Sequence, residues 1–257
     1  MRKLIENLFS GDEKLDFYLG IIDLVEGITS RLPEGAWRRM GTDTELYNSV
    51  VDALSEAGYM ALGVPEEYGG MGEGLLGPII VTDCLAQQGI NSFGQLGTHF
   101  SRKPVIKFGT PEQIEKYVVP TVSGEKSYAI CATEPDAGTN TFNISTRAVK
   151  KGNKWVVNGQ KTFITRANLT DFGFLICKTG NAEAVQDPLS VFVLDMKAPG
   201  IGLQKLNITD VGQDEQFTVF IDDVELDEDA LIGEEGNGAH YMFEGLNAER
   251  LMVSAIG

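Results

Sequence analysis

Near residue 122 the chain changes period, and no other feature limits its folds as strongly. Before that point, apolar residues recur at helical spacing. Leu15, Leu19, Ile22 and Val25 do so with charges between them. Leu46, Val50 and Leu54 follow a capping sequence, Thr42-Asp43-Thr44-Glu45, with Gly58 at the far end. Pro78 to Gln88 reads as another, more buried helix. Thr110-Pro111-Glu112-Gln113 opens one more, with proline at the first helical position, and that helix stops before Pro120. From Tyr128 onward the apolar runs are short, rich in β-formers and divided by turns. Strands are predicted at Tyr128 to Ala132, Thr146 to Val149 and Trp155 to Val157. Further strands fall at Thr162 to Thr165, 172–179, 189–195, 201–206 and 217–224. Asn158-Gly159, between two of them, is the strongest short hairpin signal. Short strands at regular spacing without interleaved helices predict an antiparallel barrel or sandwich. After Gly236 and Gly238 a last helix starts near Ala239.

The formal net charge of −16 argues against nucleic acid and anionic membrane surfaces, because phosphate binding needs a basic footprint. No run of 18 apolar residues is present, so no membrane span is predicted. The acidic start lacks a signal-peptide pattern, and the expected location is cytoplasmic. Cys84, Cys131 and Cys177 lie far apart, with no C-x-x-C and no clustering with His99 or His240, so neither disulfides nor a metal site is expected. Gly72-Glu73-Gly74-Leu75-Leu76-Gly77 fits G-x-G-x-x-G, but the turn material of 65–70 precedes it instead of a strand. A Rossmann reading is rejected.

The stretch with the most chemical promise is Ala129 to Asn140, A-I-C-A-T-E-P-D-A-G-T-N. A strand ends at Thr133-Glu134-Pro135, where proline cannot continue a ladder. Gly138 then allows a close approach, and Thr139 and Asn140 add short polar groups. Local physics alone also allows an ordinary strand-to-loop corner. The stretch resembles the T-E-P-x-A-G-S-D signature of the acyl-CoA dehydrogenase family. Asn158 to Thr165, N-G-Q-K-T-F-I-T, resembles that family's N-G-x-K-x-W-I-T, and 65–72 its P-x-x-Y-G-G-x-G. The resemblance implies an α+β multidomain fold. Its parts are an N-terminal helical bundle over 1–122, a middle antiparallel β-barrel or sandwich over 123–236, and the start of a C-terminal helical domain over 237–257.

By position, the resemblance implies FAD contacts at Ile130, Cys131, Ala132, Thr133, Gly138, Thr139, Phe163, Ile164 and Thr165, with Thr139 also facing the acyl-CoA. Ile130 and Phe163 would supply an apolar wall, and Thr133, Thr139 and Thr165 hydrogen bonds. Without the signature, Phe163 and Ile164 read as hairpin core. Glu134, beside Pro135, reads as a residue that fixes the loop.

On the last helix, Met242, Leu246, Glu249, Val253 and Ile256 fall within about 80° of one another. Glu249 therefore sits mid-stripe on an apolar face, where desolvation would raise its pKa and make it a better base. An ion pair with a buried Arg or Lys across the interface is the equal alternative. Asn247, Arg250 and Ser254 form a polar flank. This segment is similar to the family's L-D-x-x-R, whose positions hold the acyl-CoA, here Asn247 and Arg250. In the isovaleryl- and long-chain-type branches the base is the Glu before that Arg, which here is Glu249.

The implied function is FAD-dependent α,β-dehydrogenation of an acyl-CoA, or the reverse enoyl-CoA reduction. An electron-transfer flavoprotein is the implied partner and a homodimer or homotetramer the implied assembly. Family members continue into a helical bundle, so the chain is expected to be truncated, to bind FAD weakly or not at all by itself, and to leave the segment after Gly238 disordered or borrowed by a neighbouring molecule. The competing expectation is a catalytically silent subunit or fragment that binds a partner chain. It draws on Asp136, Asn140 and Asn247, where the family usually has other residues.

Overall fold

The computed structural model describes residues 1–40, 43–72, 74–90, 93–180, 188–208 and 214–255. Helices α1 (Arg2–Leu8), α2 (Leu15–Thr29), α3 (Thr44–Glu56) and α4 (Leu76–Gln87) come first. They bury a common core of Ile5, Tyr18, Ile22, Val25, Val50, Leu54 and Ile80. The spacing that predicts α2 and α3 is the spacing of these buried faces. Asp43 caps α3, its carboxylate accepting from the Leu46 N–H at 3.0 Å, and Thr42 lies outside the described residues. Gly58 follows α3 with φ 83°, the left-handed conformation that ends many helices. Two helices follow, α5 (Phe93–Phe108) and α6 (Pro111–Tyr117). Thr110 and Gln113 close a reciprocal capping box on α6. No apolar period announces α5. It carries Pro104 internally and buries Thr98, His99, Ser101 and Arg102 among its apolar residues.

Seven strands form one sheet: β1 (Tyr128–Cys131), β2 (Arg147–Lys151), β3 (Lys154–Thr165), β4 (Phe172–Lys178), β5 (Leu189–Asp195), β6 (Ile201–Lys205) and β7 (Gln216–Asp227). The order is β1-β4-β2-β3-β7-β6, with β5 on the far edge of β4. Most pairings are antiparallel. β1 and β2 run parallel to β4, occupying its same edge one after the other. The chain between them, 132–146, must therefore leave the sheet and return.

The sheet curls around its own core. Trp155 and Phe192 stand on β3 and β5, three strand spacings apart, about 14 Å on a flat sheet. Their rings nevertheless meet at 5.3 Å. Alternation gives two faces: Leu175, Cys177, Phe192 and Leu194 fill the concave core. Phe174, Ile176, Val191 and Val193 pack against α6 and the final helix, α7 (Gly238–Val253).

Asn158-Gly159 is not a hairpin turn. β3 runs through it as one strand of 12 residues, with a register shift against β7 between Val157 and Gly159. Asn158 turns its side chain to Asp223, donating to its carboxylate and accepting from its N–H, both at 2.9 Å. A Cβ on Gly159 would lie 2.6 Å from the Thr146 Cα, so the strand passes too close to β2 for any side chain. The extra residue of this irregularity belongs to β7: Asp222 and Asp223 together oppose Asn158, and Asp223 takes φ 48°.

α7 does have a seat, contrary to expectation. Ala248 and Met252 pack with Leu96 and Phe100 of α5. A Cβ on Gly238 would lie 2.6 Å from Ser190, so the helix starts directly on β5.

Candidate active site

The turn after β1 is built on a buried ion pair. Pro135 sits in a tight Glu134–Ala137 turn in which each residue's N–H donates to the other's carbonyl, at 3.0 and 3.1 Å. The Glu134 carboxylate points inward and is 4% exposed. It accepts from the Ser145 N–H at 2.6 Å, the Ser145 hydroxyl at 2.7 Å, the Thr146 N–H at 3.0 Å and the Lys161 ammonium at 2.8 Å. Burial opposes ionisation of this group. The Lys161 charge and the hydrogen bonds outweigh burial and hold its pKa near 2. A carboxylate so placed cannot serve as a base near neutral pH. It closes the loop, as its neighbour Pro135 suggests.

The second motif is fastened to the first, since the Thr162 N–H donates to the Thr133 carbonyl at 2.8 Å. Immediately beyond, β3 slips its register against β7 between Lys161 and Ile164. Within this slip Phe163 adopts φ 57°, a conformation that bulky residues avoid, and its side chain is 58% exposed. Phe163 is therefore not hairpin core. The strand spends backbone strain to present an aromatic ring outward while Ile164 stays buried.

These pieces line one cavity of about 200 Å³, far more than a single water needs. Ile130, Ala132 and Thr133 come from the first motif, Phe163, Ile164 and Thr165 from the second, and Glu249 from α7. Thr165 is fixed by Gln216, whose amide donates to its hydroxyl at 2.9 Å. The Thr133 N–H and hydroxyl have no partner among the described residues. Glu249 makes neither a hydrogen bond nor an ion pair among them. Burial pushes its carboxyl up from the ordinary value, the neighbouring Arg250 pulling weakly the other way.

The structure places other sequence-derived residues elsewhere. Cys131 is fully buried with its side chain in the concave core, because strand alternation sends it opposite to Ile130. Only its main chain could reach a ligand beside Ile130. Gly138, Thr139, Asn247 and Arg250 lie outside the cavity lining and are exposed, with Arg250 donating to Asn247 at 3.5 Å. The buried face of α7 runs through Tyr241, Met242, Gly245, Ala248 and Met252, leaving Leu246, Glu249 and Val253 half-buried at its margin. Ile256 lies outside the described residues. Small residues allow the closest helix approach, so the contact line follows Gly245 and Ala248 rather than the largest aliphatics.

Four lining residues are not among the expected contacts: Gly97 and Phe100 on α5, and Tyr128 and Ala129 on β1. The available signal was a helical glycine with an aromatic three residues on. A Cβ on Gly97 would sit 3.0 Å from the Tyr128 carbonyl oxygen, so α5 lies directly against β1. Among the described residues there is no helix long and apolar enough to cross a membrane.

Two family models match the chain: the acyl-CoA dehydrogenase N-terminal domain over residues 28–125 and the middle domain over 129–224. An acyl-CoA dehydrogenase of Mycobacterium bovis is 33% identical over 203 residues, covering 78% of this chain and 52% of the relative. A caffeyl-CoA reductase–Etf complex subunit of Acetobacterium woodii is 30% identical over 215 residues, covering 82% and 56% respectively. Butyryl-CoA dehydrogenase from Megasphaera elsdenii superposes with a TM-score of 0.83 at 26% identity, over 94% of this chain and 64% of that one. The chain thus spans about half the length of the curated relatives it matches.

Proposed function

The chain belongs to the acyl-CoA dehydrogenase family, and on that footing we propose that it carries the flavin wall and the catalytic base for α,β-dehydrogenation of an acyl-CoA thioester, or for the reverse reduction. One observation carries this reading: a partly desolvated Glu249, without a partner among the described residues, opens onto the same cavity as both motifs. The wall suits a flavin ring. Phe163 and Ile130 offer apolar surface, and Thr133 offers an N–H and a hydroxyl without partners among the described residues. FAD held there supplies the acceptor for a hydride.

Glu249, ionised, takes the α-proton of the thioester. Its raised pKa makes the carboxylate a stronger base while leaving it able to ionise as pH rises. Ile130, Phe100 and Phe163 exclude water from its surroundings, which keeps that basicity high. Lys161 and Glu134 hold the turn so that Thr133 keeps its place on the wall. Asn247 and Arg250, exposed within a turn of Glu249, are the proposed contacts for the coenzyme A portion, with Thr139 and Gly138 at the outer end of the turn after β1. An electron-transfer flavoprotein as electron partner and a homodimer or homotetramer as assembly belong to the same reading. The Etf-associated reductase among the relatives supports the former.

The test is Glu249→Gln in the full-length protein. FAD and acyl-CoA binding are expected to persist, while flavin reduction slows by at least ~100-fold. In the unmodified protein, the reduction rate should rise with pH through the elevated pKa of Glu249, because only the ionised form accepts a proton. Near-normal reduction by the variant would move the base elsewhere.

A further inference from the structure

Lys161 is one of the largest side chains fully buried in the protein, with no exposed surface. It is not confined to neutralising Glu134. Its ammonium also donates to the main-chain carbonyl of Ala132 at 3.0 Å. That carbonyl belongs to the peptide whose other end is the Thr133 N–H. A trans peptide is planar, with its N–H directed opposite to its C=O. With the oxygen drawn inward to Lys161, the Thr133 N–H is turned away from the ammonium. It finds no acceptor among the described residues, and both Ala132 and Thr133 line the cavity. A buried cation bonded to the carbonyl pulls electron density along the peptide and leaves the N–H a stronger donor, the more so in a low dielectric.

We propose that Lys161 is a positioning residue that acts through the Ala132–Thr133 peptide. It orients and polarises the Thr133 N–H toward the cavity, where that N–H favours an electron-rich heteroatom of bound flavin, and hence the reduced form over the oxidised. This rests on the flavin reading of the cavity. The alternative role, a mere prop beneath the turn, makes a different demand. A loosened turn weakens both flavin forms alike, whereas a lost dipole discriminates between them.

The experiment measures the midpoint potential and affinity of FAD in the full-length protein, comparing wild type with Lys161→Met and with the double variant Lys161→Gln, Glu134→Gln. The double variant removes both charges while keeping hydrogen-bonding side chains, so no carboxylate is left buried alone. The preference for reduced over oxidised FAD is expected to fall about tenfold, a potential about 30 mV more negative for a two-electron couple. FAD that binds to the variants with an unchanged potential overturns the proposal and leaves the flavin reading intact. Wild-type protein that takes up no FAD overturns both. Should the variants fail to fold, threonine-selective 15N labelling of the wild type decides the matter. The Thr133 amide proton is expected to move downfield on FAD binding and further on reduction, and an amide that ignores FAD overturns the proposal.

Discussion

At the scale of single residues, the site is held by arrangements that are costly taken alone. Phe163 sits at φ 57° with its ring largely exposed, a backbone state worth about 1–3 kcal/mol of strain. Phe163→Gly removes the strain and the ring together. Its unfolding free energy should stay within about 1 kcal/mol of wild type, while FAD affinity in the full-length protein falls roughly three- to tenfold, the scale of one aromatic contact. Urea unfolding and a flavin fluorescence titration read the two effects separately, and a large stability loss would make the ring a packing residue. Glu134 behaves in the opposite way. Glu134→Gln leaves the Lys161 ammonium buried without a counter-charge and should cost about 3–5 kcal/mol. The folded pKa of Glu134, about 2, lies below its ordinary 4.5. Its contribution is therefore present above the ordinary value and is lost as pH falls toward the folded one. The stability gap between wild type and variant should narrow over that window, as denaturation at graded pH will show.

Among elements, the contact that matters most to the site is α5 against α7, because it sets Glu249 opposite the wall. The contact is close where α7 has Gly245: an added Cβ would lie 3.3 Å from both the Phe100 carbonyl oxygen and the Pro104 ring. Gly245→Val forces the helices apart and should destabilise the protein by about 1–3 kcal/mol, as overpacking does. Glu249 should move from its half-buried place at the same time. Thermal unfolding measures the first effect. The second appears as a lower pH midpoint for flavin reduction in the full-length protein, since a better-solvated carboxyl titrates nearer its ordinary value. A variant with wild-type stability would mean that the helices do not meet at Gly245.

For the molecule as a whole, the dominant electrostatic fact is a net charge of −16 on 257 residues. Exposed ion pairs such as Lys116–Asp229 and Lys150–Glu228 are screened by water and contribute little each. Mutual repulsion of the excess carboxylates acts over the full surface and opposes compaction. Raising sodium chloride from roughly 10 mM to roughly 150 mM shortens the screening length from about 30 Å to about 8 Å. The thermal midpoint should therefore rise over that range at neutral pH. A midpoint that falls with salt would show that specific ion pairs outweigh the general repulsion.

What the sequence determined by itself was everything carried by short-range periodicity and local chemistry. The helical stripes of α2 and α3, the capping box at Thr110, the strand runs after Tyr128 and the tight turn around Pro135 are all set by residues within a few positions of each other. The family's two motifs, and Glu249 on the helix after Gly238, were legible for the same reason. Tertiary structure decided the rest. Asn158-Gly159 stayed inside a strand because Thr146, at the entry to β2, lies against it and Asp223 of β7 binds the Asn158 side chain, contacts the local turn preference cannot foresee. α5 became a helix although polar residues and Pro104 hide its period, since its buried polar groups find distant partners: the Tyr128 N–H donates to the Thr98 hydroxyl, and the Thr121 hydroxyl accepts from Arg102. The contact line of α7 shifted to Gly245 and Ala248 because close packing rewards small residues, which carry no hydrophobic signal. Glu249 shares a cavity with Phe163, more than eighty residues away in sequence, only because the curled sheet and α5 bring α7 across the end of β1. Such long-range juxtapositions arise from packing, and no local window contains them.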